Sequence, residues 1–314
     1  MDKNQQIAVI GGGLMGHGIA LTFARAGHYV TVHDPVPETL QSLPHRVSDS
    51  LRLLGATDPD IARALKRIEL CYTVDIAVRD AQFVFEAAPE KLDLKQQIFA
   101  GVEAHAPENA ILASNTSVIP ITKIMGGLAH RHRALGTHWW NPPHMIPLVE
   151  VIKTEWTDAN AATAMMDLLA DAGKTPAMVE KDVPGFIGNR LQHALWREAI
   201  SLVENGICTA KTVDDVVKAS FGRRLAVLGP LENADLVGLA LTRDIHDQVL
   251  FDLDARPDPS PLLGSLLHEG RTGMAAGHGF RDWASGDLDK TKARIAQHLH
   301  ALDELLAEQA QNIT

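Results

Sequence analysis

The sequence predicts an α/β protein: a doubly wound, mainly parallel sheet followed by a second, all-helical domain. Three observations predict it. Short apolar runs alternate with helix-period segments through the first half of the chain, and each parallel crossover needs a covering helix. A run of three glycines separates the first strand candidate from the first helix. Near Pro184-Gly185 the pattern turns almost wholly helical.

Taken in order, Ile7-Ala-Val-Ile10 is wholly apolar and reads as a strand buried on both faces. Ile19, Phe23 and Ala26 recur at helical spacing, Gly27 closes that helix, and Tyr29–His33 is the next β-rich run, completing one βαβ unit. Residues 40–67 are leucine-spaced with charges of both signs, which predicts one or two exposed helices. Strands follow at 68–72, 82–86 and 110–114, with Leu94, Ile98 and Val102 marking a helix between the last two. Ala134-Leu-Gly-Thr137 leans apolar, and Leu148–Lys153 reads as a further strand. The change of character sets a boundary between a domain over 1–184 and a helical domain over 185–314, which ends in an amphipathic helix over about 289–310.

At 314 residues, 46% hydrophobic and 22% charged, the chain has room for two ordinary domains and is too apolar for disorder. A formal charge of −10 argues against nucleic acid as a partner, because such binders neutralise phosphates with a basic face. Two cysteines provide no disulfide framework, so a reducing cytoplasm is the expected setting. No segment approaches the roughly 18 apolar residues of a membrane span, and a soluble protein is expected.

Gly11-Gly12-Gly13-Leu14-Met15-Gly16 fits G-x-G-x-x-G in the context that gives the pattern meaning, after a strand and opening a helix. Gly11 allows the tight turn, Gly13 lets backbone approach a pyrophosphate, and Gly16 lets helix pack on strand. The helix opened by Leu14 and Met15 supplies unpaired N–H groups to the phosphates. Asp34 ends the second strand, where a carboxylate accepts both ribose hydroxyls and repels a 2′-phosphate. No Arg or Lys follows in Pro35–Glu38, so the expected cofactor is NAD and the sheet is Rossmann-type.

Among fifteen histidines, position must select. His138 ends a strand candidate, where an imidazole with a near-neutral pKa can act as a general base. Glu150 lies in the following strand, which the turns at Pro142-Pro143 and Pro147 can fold back antiparallel, bringing a carboxylate to orient the imidazole. On spacing alone, a strand-capping His138 and a solvated Glu150 compete with this reading. His132, His138 and His144 lack i, i+4 ligand pairing and a neighbouring cysteine, so no metal is expected. Trp139 and Trp140 are candidates to wall a pocket, with core packing as the competing role.

Ile10-Gly-Gly-Gly-Leu-Met-Gly-His-Gly-Ile-Ala20, Ala113-Ser-Asn-Thr-Ser117, His138-x-x-Asn-Pro through Leu148-Val-Glu150, and Asp182-x-Pro-Gly-Phe-Ile-x-Asn189-Arg190 closely resemble, in order, the L-3-hydroxyacyl-CoA dehydrogenase family. Gly229-Pro-Leu-Glu-Asn-Ala-Asp235 resembles the signature of its helical domain. The resemblance implies that His138 takes the hydroxyl proton as hydride leaves for the nicotinamide, that Glu150 holds the imidazole, and that Ser117 and Asn189 hydrogen-bond the reacting oxygen. Glu90 and Lys95 match positions that contact the cofactor, and Asn115 is placed with them. It further implies that 185–314 contributes to the substrate cleft and forms a homodimer.

Two departures bear on the substrate. Thioester-oxidising relatives carry a lysine-rich helical arm after the second strand, whereas 41–70 has Arg46, Arg52, Arg63, Lys66 and Arg67 offset by Asp49, Asp58, Asp60 and Glu69. His138-Trp-x-Asn-Pro-Pro-His-x-Ile-Pro147 is similar to a branch acting on small acids, among them a pyridine-carboxylate dehydrogenase and the gulonate dehydrogenase and lambda-crystallin group. The expectation is therefore an NAD-dependent dehydrogenase of a small 3-hydroxy acid or hydroxymethyl-ring acid. A 3-hydroxyacyl-CoA substrate, or a non-enzymatic NAD-binding protein of the lambda-crystallin kind, is the alternative. The 6-phosphogluconate type needs an interdomain lysine, and none lies between Lys181 and Lys211.

Overall fold

The computed structural model describes residues 4–313. The chain runs β1 (Gln6–Ile10), α1 (Leu14–Ala26), β2 (Tyr29–His33), α2 (Pro37–Leu53), α3 (Asp58–Leu65), β3 (Ile68–Cys71), α4 (Val74–Val78) and β4 (Phe83–Glu86). It continues through α5 (Leu92–His105), β5 (Ile111–Ser114), α6 (Ile121–Met125), β6 (Ala134–Trp139), β7 (Leu148–Ile152), α7 (Ala159–Asp171) and β8 (Thr175–Val179). The eight strands form one sheet in the order β3-β2-β1-β4-β5-β6-β7-β8. Six are parallel, and β7 and β8 run against them. This is the Rossmann-type doubly wound sheet with two strands added at one edge.

Both faces are covered, as the apolar runs require. In β1, Ile7 and Val9 join one core cluster while Ala8 and Ile10 join the other. The first cluster takes Ile19 and Phe23 of α1, Leu40, Leu43 and Val47 of α2, and Met165 and Leu168 of α7. The second takes Val78 of α4, Phe99 of α5, and Ile121 and Ile124 of α6. Each such side chain contributes roughly 1.5–3 kcal/mol by leaving water. The glycine turn is sterically forced. A Cβ on Gly16 would stand 1.7 Å from the Gly11 carbonyl oxygen, and Gly11 itself has φ +108° and backs onto the Ala87 carbonyl.

Two expectations change in detail, and one strand was not predicted. The helices within 40–67 are present, but α2 is amphipathic and buries Leu40, Leu43, Val47 and Leu51. The buried face of α5 is Lys95, Phe99 and Val102, turned from the Leu94-Ile98-Val102 stripe because Lys95 is drawn inward by carboxylates. β8 lacks a strand-like apolar run, since it contains Pro176 and only Val179 is buried; it is held by pairing with β7.

By internal contacts the chain forms two compact units, Met1–Arg190 with Ala296–Thr314, and Leu191–Ile295. The sequence reading instead draws a single division at 184/185. Residues 185–190 group with the sheet because Ile187, Gly188 and Asn189 hydrogen-bond to Glu150 and Ser117. The remaining elements are α8 (Gly188–Glu204), α9 (Ala210–Ala219), α10 (Pro230–Val237), α11 (Leu239–Val249), α12 (Pro261–His268) and α13 (Asp287–Ile313). Among the described residues, no helix is long and apolar enough to cross a membrane.

Candidate active site

Strand order reverses between β1 and β4, and the carboxyl ends of the parallel strands gather the singled-out residues. Gly11–Gly16 follows β1, Asp34 follows β2, Glu90 follows β4, and Asn115 and Ser117 follow β5. His138 lies near the carboxyl end of β6.

The antiparallel return of β7 places Glu150 directly opposite His138 in the ladder. Side chains facing each other in this way share one face of the sheet. The His138 Nδ1 lies 2.7 Å from Glu150 Oε2, and the two residues are 3% and 1% exposed. The other oxygen, Oε1, accepts backbone N–H bonds from Ile187 (2.8 Å) and Gly188 (3.0 Å). Burial pushes the Glu150 carboxyl up, but the bond from His138 and those two N–H groups outweigh it and hold the group below the usual carboxylate range. With Nδ1 engaged, Nε2 is the nitrogen left to take a proton.

The N–H pair is aimed by a turn that the sequence reading did not assign. Gly185 and Phe186 have φ of +73° and +50°, and Phe186 is buried with its ring centroid 5.6 Å from that of His138. A bulky residue rarely tolerates that backbone region, and surrounding structure must hold it there. Backbone donors carry no residue signature; Pro-Gly-Phe ahead of a helix was the only clue.

The tryptophans divide by strand alternation. Trp139 is 2% exposed and packs edge-on against Phe23 and Phe85 in the core. Trp140 is half-buried on the His138 side, with ring centroids 5.2 Å apart, and its indole leaves no room for a Cβ on Gly188.

Glu90 organises the loop after β5. Its Oε1 accepts from Thr116 Oγ1 (2.5 Å), Ser117 N (3.0 Å) and Val118 N (3.2 Å). Burial raises the Glu90 carboxyl, yet the Thr116 hydroxyl, the Lys95 charge and the two N–H groups bring it below its ordinary value. Asn189 Nδ2 donates to the Ser117 carbonyl at 2.8 Å, so the structure brings these two together. Asn115 Oδ1 accepts from Trp139 N, tying the end of β5 to β6. Lys95 is fully buried; its ammonium meets Glu86 (2.7 Å), the Ala88 carbonyl (3.3 Å) and Glu90 (3.4 Å). Both carboxylate oxygens of Asp34 accept backbone N–H bonds, from Gly12 (2.8 Å) and Val36 (2.9 Å).

The turn fits a dinucleotide. A Cβ on Gly13 would meet nothing within 4 Å, so open space lies where backbone must approach a phosphate, and Leu14 beside it is 65% exposed. Among the described residues, no three His, Cys, Asp or Glu side chains converge as metal ligands.

Residues 6–183 match the 3-hydroxyacyl-CoA dehydrogenase NAD binding domain, and residues 185–283 match the C-terminal domain of the same family. The chain belongs to the 3-hydroxyacyl-CoA dehydrogenase family. It is an NAD-dependent oxidoreductase that acts on a hydroxyl-bearing carbon. It is 33% identical to the 5-formyl-3-hydroxy-2-methylpyridine 4-carboxylate 5-dehydrogenase of Mesorhizobium japonicum, over 96% of this chain and 98% of that one. It is 38% identical to the L-carnitine dehydrogenase of Streptomyces griseus over 74% of this chain and 70% of the relative. A crystal structure of a 5-formyl-3-hydroxy-2-methylpyridine 4-carboxylic acid 5-dehydrogenase superposes with a TM-score of 0.89 at 32% identity, covering 98% of this chain and 99% of that one.

Proposed function

We propose that this family member oxidises a small 3-hydroxy acid or hydroxymethyl-ring acid, with His138 and Glu150 as the catalytic dyad. The observation that carries the substrate class is the fate of the basic residues in 41–70. Arg46 spends its guanidinium on the Gly12, Gly13 and Thr39 carbonyls, and Arg67 on the Gly27 carbonyl. Arg52 and Arg63 pair with Asp49 and Asp60. A coenzyme A chain presents three phosphate groups, and each needs charge-assisted donors worth roughly 1.5–3 kcal/mol apiece. Among the described residues, Lys66 is the one basic side chain of that stretch without a carboxylate or carbonyl partner. The similarity to a pyridine-carboxylate and a carnitine dehydrogenase points the same way.

The chemistry follows from the geometry. An alcohol cannot release hydride until its proton has an acceptor, and Nε2 of His138 is the buried base positioned to take it. Glu150 fixes the ring and stabilises the imidazolium that forms. Ser117 and Asn189 donate to the reacting oxygen, with Glu90 holding the Ser117 backbone. Trp140 offers an indole face to a flat ring or a cationic group. Gly11, Gly13, Leu14, Met15, Gly16 and Asp34 hold NAD, which accepts the hydride when bound; Glu90, Lys95 and Asn115 shape the loops beside it. The proposal includes a homodimer and a cytoplasmic setting, the latter supported by the free thiols Cys71 and Cys208. It also includes a domain division at 184/185, supported by the limits of the two family matches although 185–190 hydrogen-bond back to the sheet domain.

Steady-state kinetics test the substrate class. Small 3-hydroxy acids and hydroxymethyl-pyridine acids should give a kcat/KM above that of 3-hydroxybutyryl-CoA. A thioester value above about 10⁴ M⁻¹s⁻¹, the low end of ordinary efficiency, would make the acyl-CoA the substrate.

A further inference from the structure

Arg46 stands on the third turn of α2, twelve residues beyond Asp34 and outside the stretch in which a cofactor-directed basic residue is expected. Its Nη2 donates to the Gly12 carbonyl at 2.7 Å and to the Thr39 carbonyl at 2.7 Å, and its Nη1 donates to the Gly13 carbonyl at 3.1 Å. Nε donates to Ser42 Oγ at 3.3 Å, so the whole fork is fixed. The Gly12 carbonyl belongs to the peptide group whose N–H is that of Gly13. The Gly13 carbonyl belongs to the peptide group whose N–H is that of Leu14. Neither N–H has a hydrogen-bond partner among the described residues, and beside them lies the open space at Gly13.

A hydrogen bond to a carbonyl polarises its peptide and strengthens the N–H at the other end as a donor. A full positive charge behind two consecutive peptides therefore makes the front of the turn a stronger anion binder than glycine backbone alone. The turn also needs that charge. Asp34 accepts from Gly12 N at 2.8 Å, which puts a carboxylate beside the place where a doubly charged diphosphate must lie.

We propose that Arg46 sets the affinity for the cofactor's diphosphate by charging the glycine turn from behind, as a positioning residue that does not touch the ligand. The side chain is committed to carbonyls, so it offers no fork to a 2′-phosphate, and discrimination against NADP stays with Asp34. The proposal rests on the dinucleotide role of Gly11–Gly16 and is independent of the roles given to His138 and Glu150.

Calorimetric titration with ADP-ribose, with adenosine as a phosphate-free comparison in a competition format, tests it. Arg46→Gln keeps an amide donor for one carbonyl and removes the charge. It should raise the Kd for ADP-ribose about tenfold, equivalent to 1.4 kcal/mol, and leave adenosine within twofold. Arg46→Lys keeps the charge without the fork and should stay within about threefold of the unaltered protein; it also serves if the Gln variant does not fold. An unchanged ADP-ribose Kd in Arg46→Gln, an equal loss of adenosine and ADP-ribose, or a Lys variant as weak as the Gln variant would each overturn the proposal. Failure of the unaltered chain to bind ADP-ribose would instead overturn the dinucleotide role of the turn.

Discussion

The pairing of His138 with Glu150 was only half legible: spacing alone left a strand-capping histidine and a solvated glutamate open, and the family resemblance chose the pair. Imidazole is the side chain whose ordinary pKa is suited to a general base at neutrality, and the prolines between the two allow the return that puts a carboxylate opposite it. The N–H groups of Ile187 and Gly188 were not legible, since any residue supplies them. We expect His138→Gln to lower kcat by about a hundredfold or more with NADH affinity nearly unchanged, as loss of a general base requires. Single-turnover rates and NADH fluorescence titration separate the two effects; retention of most of the chemical rate would remove His138 from this role. His144, in the same sequence string, has a different part. It is partly buried, its Nδ1 has no partner among the described residues, and its ring centroid lies 5.8 Å from that of His17 on α1. Burial, with smaller contributions from His17 and Lys174, lowers its pKa from 6.5 to about 4. The unfolded chain therefore binds more protons between pH 6.5 and 4, and this group's contribution to stability falls as the pH drops through that window. Urea unfolding should show a loss of up to about 1.4 kcal/mol per pH unit from this group, absent in His144→Leu. Parallel curves for the two proteins would refute it.

Elements were readable where a hydrophobic period reported burial directly, as in β1, β2, β4 and α1. They were misread where a polar group sits inside. On α5 the inward residue is Lys95, so an apolar stripe pointed one position away from the true face. The loop over 140–147 is another element held from inside. Lys174, opening the approach to β8, donates to the Pro143 carbonyl at 2.6 Å and the Ile146 carbonyl at 3.0 Å. Its ammonium also lies 5.4 Å from the centroid of the Trp139 ring. The segment linking His138 to Glu150 is thus gathered around one cation that the sequence reading passed over, because a single lysine after a helix reads as a solvated end. Burial pushes Lys174 down from 10.5 to about 8, with Asp303 opposing and Arg25 assisting. Here the unfolded chain binds more protons between about pH 8 and 10.5, so the group's contribution to stability rises with pH across that interval. Chemical denaturation of the unaltered protein and of Lys174→Met should therefore diverge from pH 8 upward, the unaltered protein gaining relative to the variant. A constant difference between them would show that Lys174 titrates as an ordinary surface lysine.

At the scale of the whole molecule, the helical pattern beyond residue 185 was legible, and its exposed apolar side chains motivate a prediction about assembly. Helices α8 to α12 contain no buried residue among those described. Leu231, Leu236, Leu239 and Phe251 are 80%, 74%, 66% and 82% exposed. Isolated exposed leucines are ordinary, whereas helices whose apolar residues are at best half-buried, with several large ones exposed, lead us to expect a surface completed by association. A second copy of the same chain is the economical cover, since a twofold axis pairs each apolar patch with its own equivalent. Obligate homodimers bury on the order of 2,000–5,000 Å² through apolar faces of this kind. Light scattering coupled to size exclusion should therefore give twice the 34.0 kDa chain mass at micromolar concentration. The melting temperature should rise with protein concentration, because dissociation is coupled to unfolding. Placing a charge at Leu231 or Phe251 by substitution with Asp should shift the population toward monomer and lower that temperature. A single-chain mass for the unaltered protein at micromolar concentration, with a melting temperature independent of dilution, would mean that the apolar helices are not a homodimer interface.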